Sequence, residues 1–324
     1  MRHHLTIRVI LFFSLIGLLI LPCAAQAAQT QRQYPRLIFV RQAALWLRES
    51  SGAERQLTRD YQDANPAVSP DGKLVVFERE KSTGTESELW LLKIKNGESR
   101  RLLSITGTCT MPCFDPSGAQ LYFVHSRKPA NKEPWLWLTT IATIDLTSGK
   151  WHDLAPLIKE TNISEETLYA FPMISPDGKW LIWSPVPHEG DDCHIYKTRR
   201  DGTGRATISD PKRPAKDVSY GYYFASPVGK ANKLVCLHSK LVGPDDTFSI
   251  AVINYHDKEL WHRQVDSIDR YGRPVASDQG LIAFANSYDD ARPTISVIDS
   301  KRRAKPIVKL ISNASQPAWV PTKK

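Results

Sequence analysis

Past Leu21 this 324-residue chain has no long hydrophobic run, so no later segment is apolar enough to cross a bilayer as a helix. It also lacks the marks of several chemistries. There is no G-x-S-x-G, no H-E-x-x-H and no glycine-rich phosphate loop, which argues against a serine hydrolase with its own α/β domain, a zinc protease of that type and a nucleotide-binding loop. No nucleic-acid-binding motif occurs, and nucleic acid is not an expected partner. Cysteine is scarce, with five in all. The four beyond residue 27 (Cys109, Cys113, Cys193, Cys236) permit disulfides by number, but a chain this long buries a core without them. A Cys109–Cys113 bridge would need a bent backbone, and free buried thiols remain the other reading.

The apolar run that does exist lies at the start. Arg2 and Arg8 precede Val9–Leu21, and Ala25-Gln26-Ala27 offers a small-x-small cleavage site. That order is the order of an export signal, with cleavage expected after Ala27. Cys23 raises a lipoprotein alternative, disfavoured because Pro22 stands where a lipobox takes a small residue. The expected organisation is therefore a signal peptide over 1–27, a short segment over 28–35 and one exported domain over 36–324.

Within that domain a phrase recurs: ANPAVSPDGKLVVFERE from Ala64, CTMPCFDPSGAQLYFVHS from Cys109, YAFPMISPDGKWLIWSP from Tyr169, YYFASPVGKANKLVCLHS from Tyr222, YGRPVASDQGLIAFANS from Tyr271 and a stub, SQPAWVPTKK, from Ser315. The second turn residues (Pro70, Pro116, Pro176, Pro227, Asp278, Pro321) are spaced by 46, 60, 51, 51 and 43 residues, a period belonging to propellers and solenoids. Proline cannot donate a ladder hydrogen bond and glycine tolerates positive φ, so Ser69-Pro70-Asp71-Gly72 ends one strand and starts its antiparallel neighbour. Ala67–Ser69, Leu74–Glu78, Leu89–Ile94 and Arg101–Leu103 make four strands per unit, which is a propeller blade. The stub supplies one strand, Gln316–Val320, and the N-terminal segment supplies three (Arg36–Arg41, Ala44–Arg48, Gln56–Thr58). One plus three is a sixth blade, with Trp319 as a closure residue. The fold class is all-β, a six-bladed propeller closed by a C-terminal strand.

The phrase P-x-x-S-P-D-G-K-x-L-x-(F/W), complete at Pro66–Phe77 and Pro172–Trp183, resembles the WD40-like (PD40) repeat of TolB-type propellers. The resemblance covers nearly the whole domain. It implies a six-bladed ring in the bacterial periplasm serving the envelope, here without the α/β domain that TolB carries before its propeller.

Formal net charge is +9. Basic residues gather on outer hairpins (Lys95 with Arg100 and Arg101; Lys197 with Arg199, Arg200 and Arg205; Lys301 with Arg302, Arg303 and Lys305), on the same face as the S-P-D-G turns. Acidic ones (Glu86, Glu88; Glu189, Asp191, Asp192; Asp245, Asp246; Asp289, Asp290) gather on the other face. Such a division can steer an anionic partner, or only solubilise the loops.

Two groups on that second face are candidate sites. His125 and His238 end the second strands of their blades, and His188 and His194 fill the corresponding hairpin of the blade between. Imidazoles with nearby carboxylates suit zinc, manganese or iron, and some lyases of similar fold hold a metal this way. The other group is aromatic and apolar. Tyr220, Tyr222 and Tyr223 lead into the fifth blade, and the long connection Pro156–Tyr169, with Ile163 and Leu168, leads into the fourth; tyrosines there can form an interface hot spot. The expectation is a monomeric, non-catalytic periplasmic platform for an envelope protein or peptide, with no cofactor and no metal. The alternatives are a metal-dependent lyase or hydrolase on an anionic glycan, using the four histidines, and a small-ligand sensor.

Overall fold

Turn signals and short apolar strands divide the chain into six antiparallel sheets. The computed structural model describes residues 33–324 except 60–61, 83, 85, 104, 131–135, 163–168, 187–192, 210–218, 230–231, 243–245, 256–258, 266, 270–271, 287–291, 303–304 and 323–324. The expected leader therefore lies outside the described residues. Among those described, no helix is long and apolar enough to cross a membrane.

Blade 1 orders Ser315–Trp319, Leu37–Arg41, Ala44–Arg48 and Glu54–Gln56. Blade 2 is Asp63–Val68, Leu74–Glu80, Ser87–Lys93 and Ser99–Arg101; blade 4 is Tyr169–Ile174, Trp180–Pro185, Tyr196–Arg199 and Ala206–Thr207. Blade 5 is Ser219–Pro227, Lys233–Leu241, Thr247–Asn254 and Glu259–Gln264, and blade 6 is Val275–Ala276, Leu281–Asn286, Thr294–Asp299 and Val308–Ser312. The first strand of each blade packs against the first strand of the next, from blade 1 round to blade 6 and back to blade 1. These six strands line the axis of a closed ring.

Blade 3 departs from the simple meander. Its strands Thr108–Phe114, Gln120–Arg127 and Leu136–Asp145 are followed by Trp151–Asp153, which pairs only with Ala142–Ile144. That short strand leaves the start of the ten-residue third strand with an open edge. After a single 3-10 turn at Ala155–Leu157, Lys159–Asn162 returns to pair with Leu136–Thr139. Part of the long connection that looked like loop in the sequence is thus an edge strand.

The ring closes as the two chain ends predicted. Leu37 pairs with Trp319 and Ile38 with Ala318. Trp319 is 8% exposed, lies among Leu37, Phe39, Leu281 and Ala283, and donates its indole N–H to Val275 O of blade 6 at 3.1 Å. Similar apolar layers lie between neighbouring blades, such as Leu45, Leu47, Val75 and Phe77 between blades 1 and 2, and Phe224, Val252, Ile282 and Phe284 between blades 5 and 6.

The S-P-D-G turns work through their side chains. Ser69 Oγ accepts Leu74 N–H at 2.9 Å and donates to Asp71 Oδ1 at 2.7 Å, while Gly72, at φ +68°, closes the turn with its N–H on Ser69 O. Blade 4 repeats this with Ser175, Asp177 and Trp180. In the D-P-S-G copy the two residues exchange roles: Asp115 Oδ1 accepts Gln120 N–H at 3.0 Å and Ser117 Oγ donates to Asp115. The outer hairpins do emerge beside these turns. Ile94 N–H bonds Lys73 O, Leu146 N–H bonds Ala119 O and Ser300 N–H bonds Gly280 O, at 2.9 to 3.0 Å.

Candidate functional site

Blade 5 carries a coupled aromatic and titratable group that runs across its sheet. Tyr222 lies directly across from His238, and Tyr220 across from Lys240. Their rings bracket the imidazole: Tyr222 sits 4.6 Å from His238 and Tyr220 stacks at 6.1 Å with 27° between planes. The Tyr222 hydroxyl reaches over the sheet to donate to Glu259 Oε2 at 2.6 Å, and Glu259 Oε1 meets His262 Nδ1 at 2.6 Å. His262 in turn lies 5.9 Å from His238, ring to ring. Burial alone would raise the Glu259 carboxyl, but the Tyr222 and His262 contacts outweigh it and hold it below its usual value. Burial lowers His238 and keeps it neutral-leaning despite the nearby Glu259.

The sequence between the tyrosines has a steric reason. Tyr222 N–H donates to Cys193 O of blade 4 at 2.9 Å, drawing the two chains together. A Cβ at Gly221 would stand 2.9 Å from Ser239 Oγ and 3.3 Å from Cys193 Cβ, so glycine is what lets blade 5 dock here. Tyr223 is a correction: it is 2% exposed, packed edge-on to Phe224 at 5.1 Å in the core between blades. Alternation along the strand turns it inward while Tyr220 and Tyr222 stay partly exposed. Ile163 and Leu168 fall outside the described residues.

The three of the four histidines that are described have separate surroundings. His125 is 1% exposed, with Nδ1 2.8 Å from Asp153 Oδ1 and Nε2 2.9 Å from Thr106 O, so both ring nitrogens are occupied. Burial raises Asp153, but His125 and Arg127, the latter 2.6 Å away, outweigh it and hold that carboxylate low. His194 places Nδ1 2.9 Å from Ser209 O, and His238 belongs to the tyrosine group. His188 lies outside the described residues, as do Glu189, Asp191 and Asp192. Among the described residues no group of three or more His, Cys, Asp or Glu is arranged to hold a metal.

Some of the surface charge among the described residues is internally paired. Arg200 of the basic blade 4 hairpin bonds Gln120 Oε1 at 2.7 Å, the Tyr122 hydroxyl at 3.0 Å and Asp115 at 3.3 Å on blade 3. Glu86 pairs with Lys81 at 2.7 Å. The four cysteines are free and buried. Burial pushes the Cys109 thiol up to about 12 and the Cys113 thiol up to about 11, and raises Cys236 as well, so they are poor nucleophiles.

A feature absent from the sequence reading surrounds the axis. Asn65, Met111, Phe171, Phe224 and Gln316 all have φ between 45° and 56°, each at a register shift in its blade's first strand. Each is the first residue of a β-bulge, and Pro66, Pro112, Pro172 and Pro317 follow at positions where a ladder N–H is not needed. The bulge N–H is satisfied from the preceding blade: Asn65 N–H by Gln316 Oε1 at 2.7 Å, Met111 N–H by Glu78 Oε1, Phe171 N–H by Met111 Sδ at 3.3 Å and Phe224 N–H by Ser184 Oγ at 3.0 Å. The proline that follows the bulge residue in four of these five strands was the signal for this relay. Only the turn proline, four residues later, has an obvious meaning in one dimension.

No family model matches the chain. A curated relative, the "Uncharacterized peptidase YuxL" of Bacillus subtilis (strain 168), is 23% identical over 171 residues, covering 46% of this chain and 26% of the relative. The match thus spans about a quarter of that protein. Among solved structures, TolB from Acinetobacter baumannii superposes with a TM-score of 0.65 at 15% identity, covering 89% of this chain and 67% of that one. An oligogalacturonate lyase in complex with manganese gives 0.55 at 14% identity, covering 83% and 70%. The expectation that the chain is not an enzyme is overturned here, because a protein named a peptidase and a lyase stand among those it resembles. What its strand order, closure and superposition establish together is a TolB-like six-bladed β-propeller.

Proposed function

We propose that this chain is a periplasmic binding platform that receives an envelope protein or a peptide on the face carrying Tyr220 and Tyr222. The observation that supports it is the bracketing of His238 by these two partly exposed rings, with Tyr222 fixed by its 2.6 Å bond to Glu259. Rigid, amphipathic aromatics with a satisfied polar end are what interface hot spots are made of. The TolB likeness in fold agrees with a scaffold that presents a face. The signal-like residues 1–27 agree with export. Binding of a purified or captured partner to the protein and to a Tyr220→Ala/Tyr222→Ala variant tests this.

A second reading, lyase or hydrolase chemistry, is favoured by the hydrogen-bonded set Tyr222, Glu259 and His262 with His238 beside it. A held carboxylate next to imidazoles is the raw material of proton transfer. Turnover of oligogalacturonate with manganese, or of short peptides, tested against His262→Ala and Glu259→Gln, decides whether the set does chemistry.

A further inference from the structure

At the ring axis the bulges border a half-open cavity of about 120 Å³, lined by Asn65, Met111, Phe171, Gln316, Asp269 and Arg273, with the prolines of the neighbouring bulges between them. Arg273 belongs to blade 6, yet its guanidinium lies over the Phe171 ring of blade 4 at 5.1 Å, so it reaches across the channel. Among the described residues it has neither a hydrogen-bond acceptor nor an ion-pair partner. Arg273 is half-buried, open toward this cavity, whereas the fully buried Arg79 is matched by two hydrogen bonds to Asp63, at 2.7 and 2.9 Å. Holding a cation partly out of water without a partner carries a desolvation cost that an anionic ligand would offset.

We propose that the channel is a carboxylate-binding site, with the Arg273 fork as the principal donor and the Gln316 amide as the second. Gln316 Oε1 already accepts Asn65 N–H, which leaves its NH₂ as a donor at the cavity wall. Two acids border the site, and both are engaged elsewhere. Glu78 accepts from Asn65 Nδ2 at 2.8 Å and from Met111 N–H behind the wall, while Asp269 folds back on its own loop, its Oδ2 2.9 Å from where a Gly272 Cβ would stand, and makes further polar contacts. A guanidinium is complementary to a carboxylate through two parallel N–H···O bonds. The remaining wall, Met111, Phe171 and the prolines, is apolar and suits the carbon attached to it. The pocket is half open, and its volume, beside the roughly 150 Å³ that takes benzene, holds a carboxylate head and a few carbons while the rest of a larger ligand stays outside.

The ligand is either a free small acid or an acidic side chain inserted from a peptide, and the two sources share this chemistry. The proposal does not rest on the Tyr220 face. Its test is the melting temperature of the protein with malonate or acetate at constant ionic strength set by sodium chloride, beside a capped peptide carrying one Asp and its Asn counterpart. The expected result is a concentration-dependent rise of several degrees with at least one carboxylate probe, weakened at least tenfold in Arg273→Gln. A rise with malonate alone assigns a free acid; a rise with the Asp peptide at lower concentration than malonate, absent with the Asn peptide, assigns a peptide. Arg273→Lys keeps the charge without the fork and is expected to bind at least fivefold more weakly, which keeps the test open should Arg273→Gln fail to fold. Without any probe, Arg273→Met is expected to melt at or above the wild type. No rise with any carboxylate, or an equal rise in the Arg273 variants, overturns the proposal.

Discussion

The backbone N–H of Met111 in blade 3 donates to the carboxyl of Glu78 in blade 2, which also accepts from Asn65 Nδ2. Burial pushes this carboxyl up to about 7, against 4.5 in the unfolded chain. Below about pH 4.5 the group is protonated in both states. Between there and about pH 7 the folded state keeps a proton that the unfolded state has released, so its contribution to stability falls as pH rises. The loss is complete above pH 7, with a ceiling of roughly 3 kcal/mol. Glu78→Gln keeps the acceptor oxygen and removes the titration. The expected outcome is a variant that melts above the wild type at pH 8 and shows a flatter melting curve against pH; a wild-type-like pH profile in the variant contradicts it.

Trp319 joins blade 1 to blade 6 through its packing and its bond to Val275 O. Trp319→Ala removes a large buried side chain and leaves that carbonyl without its donor, which is expected to cost about 3–5 kcal/mol. Because the residue seals the ring, unfolding of all six blades should shift together. Calorimetry checks this; an unchanged melting temperature refutes the closure role.

The Arg79–Asp63 pair of blade 2 is 4% and 0% exposed at its side chains, and Arg79 lies 4.3 Å from the Trp90 ring. Asp63→Asn leaves the guanidinium buried without its counter-charge and is expected to cost about 3–5 kcal/mol. Replacing both residues with apolar ones of similar size should recover most of that loss. Denaturant titration of the single and double variants distinguishes a true pair from two independent contacts.

The four cysteines are expected to resist a thiol reagent in the folded protein and to react together once it is unfolded. Counting modified thiols by mass, before and after denaturant, checks this. Rapid labelling of Cys109 or Cys113 in the native state contradicts their burial.

The blade count, the closure and the turns were legible because each is written in a contiguous stretch: Ser69-Pro70-Asp71-Gly72 carries its own hydrogen bonds, and the stub at Ser315 matches the three strands that lack a partner. What was not legible depends on neighbours distant in sequence. Tyr223 and Tyr222 are equivalent in one dimension, and only the strand's alternation and the approach of Cys193 separate a core ring from a partly exposed one. The histidines looked alike for the same reason, although His125 is held by Asp153 and Thr106 whereas His238 lies between tyrosines. The bulge relay escaped because its acceptors come from the preceding blade, as Gln316 does for Asn65 across 251 residues.

Equilibrium binding of an envelope partner, captured from the solubilised envelope of its own cell, tests the platform most directly when compared between the wild type and Tyr220→Ala/Tyr222→Ala. Saturable binding that weakens at least about tenfold in the variant, on the scale of a hot-spot pair, is the predicted result. Equal affinity for both proteins would contradict the assignment of this face.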